Sequence, residues 1–265
     1  MTEDEVHAAA RALVRAEAAA EQIGLLSLAH PGMSMEDAYA VQAANVTAKL
    51  AAGRRQVGWK IGLTSRAMQD ALGIDTPDSG VLLDDMVFET GGVVPKGRFI
   101  QPRVEAEIAF VMKGPLEGAV TREEVVAATD HVCASLEILD TRIVRKDPAT
   151  GTARNVCDTI ADNAANAGIV LGTRHMNPRL VDLRCVGAIV ARDGEVEETG
   201  LGAGVLNDPV MGIVWLVERL AGNGQKIEAG QVVLSGSFIR PVECPAGSMI
   251  EADFGDFGSV SITFE

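Results

Sequence analysis

Aromatic residues make up only 4% of the 265-residue chain, and tyrosine occurs once, as Tyr39. Stacking platforms for single-stranded nucleic acid are therefore scarce. Positive charge is also short: 23 Lys and Arg stand against 37 Asp and Glu, a formal net charge of −14. No stretch gathers five or six basic residues to reverse that sign locally, so neither nucleic acid nor an anionic membrane is an expected partner. No run approaches the roughly 18 apolar residues of a membrane span. The N-terminal stretch MTEDEVHAAARALVRAEAAAEQ lacks the continuous apolar segment of a secretory signal, and a cytoplasmic location is expected. Cys133, Cys157, Cys185 and Cys244 lie far apart without CxxC spacing and read as reduced thiols. His7, His30, His131 and His175 form no HxxxH pair, which argues against zinc.

What remains is an ordinary core-forming composition, 47% hydrophobic, organised in two styles. Residues 3–28 are alanine-rich and predict one helix; after HPGMS, Ser34 caps a second that runs to about Leu50 and ends at Gly53. From residue 57 short apolar segments alternate with Gly, Pro and Asp turns, and Asp193-Gly194 between two of them signals a hairpin. Thr121-x-x-Glu124 is a capping box whose helix is expected to continue through VVAATDHV. Asp208 and Pro209 open another helix, with Ile213, Val214, Val217 and Leu220 on its apolar side and Gly222 beyond. The fold class expected is α+β: a helical N-terminal region over 1–56 and one β-rich catalytic domain over 57–265.

Within QPRVEAEIAFVMKG, strand alternation puts Glu105 and Glu107 on one face and Val104, Ala106 and Ile108 on the other. Such a pair suits a solvated face, yet Ala109 and Val111 continue the glutamate face as apolar. Glu137 sits in a similarly apolar setting, CASLEILDTR. Three carboxylates without His or Cys suit a hard divalent ion such as Mg2+ or Mn2+, although no spacing rule selects Glu137 from the other acids. Buried together without a cation they would repel and hold their protons. VGWKIGLTS places Lys60 in an apolar run between Gly58 and Gly62, as a snorkelling lysine or as a desolvated amine of lowered pKa. No P-loop or dinucleotide fingerprint occurs. Asp78 in TPDSG, and Asp162 and Asn163 in CDTIADNAANAG, are turn and loop residues by composition alone, and Arg240 ends an apolar strand in SGSFIRPV.

In order from 57 to 242, VGWKIGLTS, TPDSGVLLDDM, RFIQPRVEAEIAFV, SLEILDTR, DTIADNAANAG, GAGVLNDPVMGIVWL and AGQVVLSGSFIRPV resemble the bacterial hydratase/decarboxylase branch of the fumarylacetoacetate hydrolase superfamily. That branch holds the 2-oxo-hept-3-ene-1,7-dioate hydratases, the 2-keto-4-pentenoate hydratases and the 4-oxalocrotonate decarboxylases. The resemblance implies a fumarylacetoacetase-like β-rich domain behind a helical N-terminal region, assembled from dimers. It implies Mg2+ or Mn2+ on Glu105, Glu107 and Glu137, with Lys60 and Asp78 as catalytic groups. Asp162, Asn163 and Ala164 are implied near the substrate. Trp59, before the lysine, stands where relatives vary.

The activity implied is addition of water to a 2-oxo-hept-3-ene-1,7-dioate, formed from its 2-hydroxy-2,4-diene tautomer, in the breakdown of aromatic compounds. Arg240 is the candidate partner for a distal carboxylate, with Arg142, Arg145 and Arg154 competing. The alternatives are pentenoate hydration, an oxalocrotonate-type decarboxylation that shares the same dienolate, and hydrolytic carbon–carbon cleavage. A non-catalytic metal-stabilised scaffold or partner subunit is the reading from a different class, and a decarboxylase is a separate candidate partner.

Overall fold

The computed structural model describes residues 1–66, 69–70 and 74–265. Helices α1 (Glu3–Ala19) and α3 (Met35–Ala51) flank a single short turn of helix, α2 (Leu26–Ala29). Both long helices open on full capping boxes, Thr2 with Glu5 and Ser34 with Asp37. The uninterrupted helix expected over 3–28 stops early. Ala20 turns left-handed, and Ile23 leaves the helix to bridge Ile143, its N–H donating to the Arg142 carbonyl at 2.8 Å. Alanine propensity is a local quantity and carries no information about that distant partner.

The remainder is built on two sheets. Strands β1 (Gln56–Gly62), β2 (Asp78–Leu83), β3 (Val87–Glu89), β5 (Arg103–Met112), β6 (Thr129–Leu139), β7 (Asn166–Leu171) and β10 (Val232–Leu234) run in the order β2-β1-β10-β5-β6-β7-β3, with β11 (Val242–Glu243) paired to β5. The second sheet is β4 (Gly92–Val94), β13 (Ser259–Phe264), β12 (Met249–Asp253), β8 (Gly187–Arg192) and β9 (Glu195–Leu201), in that order. The Asp193-Gly194 turn joins β8 to β9 with both residues at positive φ, 53° and 85°, as a two-residue hairpin requires. Helix α4 (Arg122–Ala128) has the expected Thr121 box but ends four residues sooner than VVAATDHV suggests. From Thr129 the chain is extended because it pairs with the end of β5. Helix α5 covers Val156–Ala161, and α6, capped by Asp208 with Pro209 in its first turn, covers Pro209–Ala221.

The main core takes one face of β5 (Val104, Ala106, Ile108, Phe110) together with Val132, Leu136 and Ile138 of β6 and Val210, Ile213 and Val217 of α6. The N-terminal helices have no core to themselves. Leu13, Leu26 and Val41 pack with Ile143, Ile160 and Ala161, so they close over the segment that follows β6. No helix among the described residues is long and apolar enough to cross a membrane.

Candidate metal centre and active site

The opposite face of β5 is polar where it is deepest. Glu105 lies directly across from Glu137 of β6, and Glu107 across from Ser135. Like charges at facing positions destabilise a sheet, so this register asks for an additional component. Glu107 and Glu137 are completely buried and Glu105 partly so, and one carboxylate oxygen from each lies within 4.8 Å of the others. The fold satisfies one oxygen of each buried acid. The Gly236 N–H donates to Glu107 Oε2 at 2.7 Å, and Asn166 Nδ2 donates to Glu137 Oε1 at 2.7 Å. Gly236 holds φ at 109°, a backbone that side chains resist, which keeps its N–H aimed at the carboxylate. Glu107 Oε1 and Glu137 Oε2 are buried with no hydrogen-bond partner. Free carboxylate oxygens converging from three acids are the donor set of a hard divalent cation.

The electrostatics agree. Burial, and then the charge of Glu137, push the Glu105 carboxyl up to about 8. The same two causes, with Glu105 added, hold Glu107 well above the ordinary carboxylate range. Without a cation the cluster keeps protons, and a divalent ion would displace them.

Lys60 of β1 borders this cluster, its Nζ 3.4 Å from Glu137 Oε1. Burial alone would depress its ammonium, but Glu137, Asp78, Glu105 and Glu107 outweigh it and raise the group above its ordinary value. The lowered-pKa amine considered from sequence is thereby corrected: four carboxylates face this lysine, and it stays charged. Across the β1–β2 pair Gly62 faces Asp78, and a Cβ on Gly62 would run into Asp78 Oδ1 and come within 2.8 Å of Lys60 Nζ. The glycine of the KIG motif therefore leaves open the space between acid and lysine. Asp78 is a buried strand residue rather than an exposed turn aspartate. Burial raises its carboxyl against the opposing pull of Lys60, and Oδ1 has no partner. Trp59 points to the other face, into the core, with its indole N–H on Gln231 Oε1 at 3.1 Å.

A cavity of about 410 Å3 opens beside Glu105, lined also by Gly62, Thr64, Ser237, Phe238 and Arg240. Arg240 reaches it from outside: its side chain is 82% exposed and paired with Glu198 at 2.7 Å. The loop residues are tied into the fold. Asp162 gives both carboxylate oxygens to Arg142, to Nε at 2.6 Å and to the backbone N–H at 2.8 Å. Asn163 bonds both the N–H and the carbonyl of Val81. Their side chains are engaged within the fold, while a Cβ on Gly80 would meet both Asn163 and Lys60, which sets this turn beside the lysine; Arg142, wholly engaged, leaves the list of carboxylate partners. Ala164 is buried in a left-handed turn, with φ of 53°, 52° and 60° at residues 163–165. That turn delivers Asn166, which sequence reading missed. Ser235, buried with an unpartnered hydroxyl beside Gly236, was missed too. Asn166 lies inside the polar run CDTIADNAANAG, two residues beyond Ala164.

No protein-family model matches the chain. It is 49% identical over 256 residues to the 2-oxo-hept-4-ene-1,7-dioate hydratase of Escherichia coli, covering 96% of both proteins. It is 39% identical over 266 residues to the 2-keto-4-pentenoate hydratase of Paraburkholderia xenovorans, covering 100% of this chain and 97% of the relative. Among solved structures, 4-oxalocrotonate decarboxylase from Pseudomonas putida G7, complexed with magnesium and adipate, superposes with a TM-score of 0.93 at 34% identity, over 100% of this chain and 99% of that one. Sequence similarity and architecture thus extend over nearly the whole length. The chain belongs to the hydratase/decarboxylase branch of the fumarylacetoacetate hydrolase superfamily.

Proposed function

We propose that this enzyme is a divalent-metal-dependent hydro-lyase converting 2-oxo-hept-3-ene-1,7-dioate, drawn from its 2-hydroxy-2,4-diene tautomer, into 4-hydroxy-2-oxoheptane-1,7-dioate. The observation that carries the reading is the set of unpartnered buried oxygens on Glu107, Glu137 and Asp78 around Lys60. The hydratase name of the 49%-identical relative supports the choice of reaction; that name places the double bond at C4, one position along from the conjugated tautomer used here. Glu105, Glu107 and Glu137 would hold the cation, Mg2+ or Mn2+, which would supply positive charge where the 2-oxo acid head becomes negative.

The chain's own residues handle the protons. Asp78, whose carboxyl burial raises above its ordinary value, gives a proton to C5 of the dienol and recovers one from the 2-hydroxyl, leaving the conjugated enone. Water then adds its oxygen to C4; Asp78 gives a proton to C3 and takes one from the water. Lys60 remains an ammonium throughout and stabilises Asp78 in the moments when it is ionised. Arg240, exposed at the mouth, draws a dianionic substrate toward a protein of net charge −14.

The protein works in the cytoplasm as a homo-oligomer built from dimers. Free buried thiols at Cys133, Cys157 and Cys244 suit a reducing compartment, and Ile189, Leu201 and Met249 leave apolar surface on the second sheet. Light scattering would report the oligomer, and co-expression would show whether a decarboxylase joins it.

The test is turnover of 2-hydroxyhepta-2,4-diene-1,7-dioate against 2-hydroxypenta-2,4-dienoate, with Mg2+ and with EDTA, following diene absorbance and CO2. Metal-dependent loss of the dioate without CO2, faster than the pentadienoate, is expected. Release of CO2 would instead assign the decarboxylase reaction named for the structure at 34% identity. No metal-dependent reaction with either compound would overturn the enzymatic reading.

A further inference from the structure

Three arginines collect at one end of the metal cluster with more donors than acceptors. Arg103 opens β5 on the same face as Glu105, two residues away, a separation of about 6.5–7 Å along a strand. Arg145 and Arg154 face each other across a hairpin-like loop: Lys146 bridges Ala153, and the Arg154 N–H donates to the Arg145 carbonyl at 2.9 Å. Glu243, which sits opposite Arg103 in the β5–β11 register, ties the two segments together by accepting Arg145 Nη1 at 2.9 Å.

That single contact leaves the group far from satisfied. Arg145 Nε and Nη2 and Arg154 Nη1 are shielded from solvent and have no acceptor. The acids nearest Arg154 are already committed, Asp162 to Arg142 and Asp158 to Ser27 and the Asn155 N–H. A guanidinium cannot shed its charge, so a half-buried surplus of three cations over one bonded carboxylate calls for an anion. Burial together with Arg103 and Arg145 pulls Arg154 below its ordinary value, as expected for crowded like charges. Arg103 shares the Glu105 face of β5, which puts the cluster on the catalytic side of the sheet. In a chain of net charge −14 such a concentration of positive charge is against the average.

We infer that Arg103, Arg145 and Arg154 form the subsite for the distal carboxylate of a 2-oxo dicarboxylic acid whose 2-oxo acid head lies on Glu105, Glu107 and Glu137. Planar forks with free N–H groups match a carboxylate in a bidentate fashion. Arg240, by contrast, is exposed and already holds Glu198. The inference deepens the hydratase reading, since it names which end of the substrate each cluster takes.

Calorimetry on the full-length, Mg2+-loaded protein with two saturated ligands tests it: 2-oxoheptanedioate, and 2-oxoheptanoate, which lacks only the distal carboxylate. Neither can be hydrated. The wild type is expected to prefer the dioate, and Arg145→Gln and Arg154→Gln to reduce that preference roughly 10- to 100-fold, the range for losing a charged hydrogen bond. Affinity for the monoacid stays unchanged and reports that fold and metal centre are intact. Arg240→Gln is expected to change the ratio by less than about threefold. If Arg154→Gln does not fold, the partly exposed Arg145 carries the test alone, with Arg145→Lys restoring part of the preference. A preference unchanged in Arg145→Gln, absent in the wild type, or lost only in Arg240→Gln would overturn the inference. Turnover of the dienol dioate separates the two readings. No hydration with an arginine-dependent preference would remove the reaction and keep the subsite, and normal hydration with an arginine-independent preference would do the reverse.

Discussion

Two buried charged clusters, one on the strands around Lys60 and one on the segments that follow β6 and precede β7, treat their hydrogen bonds in opposite ways. Around Arg142 the guanidinium reaches Asp162, the Asp140 carbonyl at 2.8 Å and the Asp162 carbonyl at 2.7 Å, while Asp162 spends both oxygens on Arg142. Around Lys60 three buried acids, Asp78, Glu107 and Glu137, each keep an oxygen with no partner. Burial and charge are common to both clusters and so cannot mark function by themselves. What separates them is closure. A cluster that satisfies itself fixes the chain, whereas one that is left open stores unfavourable electrostatics that a ligand can relieve.

The largest expected difference lies in activity. Glu137→Gln keeps the shape of the site but removes a ligand charge, and it should lower metal-dependent turnover by about three orders of magnitude or more. The same variant, assayed without metal, should be as stable as the wild type or more stable, because it removes a charge facing Glu105. Denaturant titration in EDTA checks this, and a clear loss of stability would mean that the open cluster is structural after all. The closed cluster should respond in the reverse sense. Arg142→Ala leaves Asp162 charged and buried without its counter-ion, which should cost about 3–5 kcal/mol of stability, read as a fall in the denaturant midpoint. Asp78→Asn should retain metal affinity and stability and lose roughly 10²- to 10⁴-fold in kcat, as for removal of a general acid–base group. Equal loss in KM with kcat intact would reassign Asp78 from proton transfer to binding.

The two clusters also differ in how far they could be read from the chain. Local signals carried well: the Ser34 cap, the Thr121 capping box, the Asp193-Gly194 hairpin and the Asp208-Pro209 helix start all depend on neighbours a few residues apart. The shared face of Glu105 and Glu107 follows from strand alternation alone. Glu137 does not, since it is selected by the β5–β6 register, and only resemblance to relatives pointed to it. The Arg142–Asp162 pair links residues 20 apart across a turn with three left-handed backbones in succession, which no spacing rule anticipates. Composition alone reads Asp162 and Asn163 as loop residues, and only the resemblance to relatives places them near a substrate. The arginines at 103, 145 and 154 look unremarkable in sequence, because a missing acceptor is visible only once the chain is folded.

The smallest effect sharpens the comparison through pH. In the metal-free protein Glu105 holds its proton up to about 8, against an ordinary value of 4.5, and Glu107 is shifted in the same direction. Their folded-state values are raised, so the stability they contribute is complete below about 4.5 and is lost as pH rises through about 8. Mg2+ binds the ionised carboxylates and should cancel this loss. Elsewhere in the chain acids such as Asp37, held down to about 2 by its hydrogen bonds to the N-terminal ammonium and Ser34, pull the other way but do so with or without metal. The quantity to measure is therefore the difference in Tm between Mg2+-loaded and EDTA-treated protein, taken from pH 5 to pH 8.5. It should widen with pH by a few degrees, the scale of about 1 kcal/mol in a chain of this size, and Glu107→Gln should flatten it. A difference independent of pH would mean that the three carboxylates are already ionised without a cation, and that the open cluster is balanced by Lys60 alone.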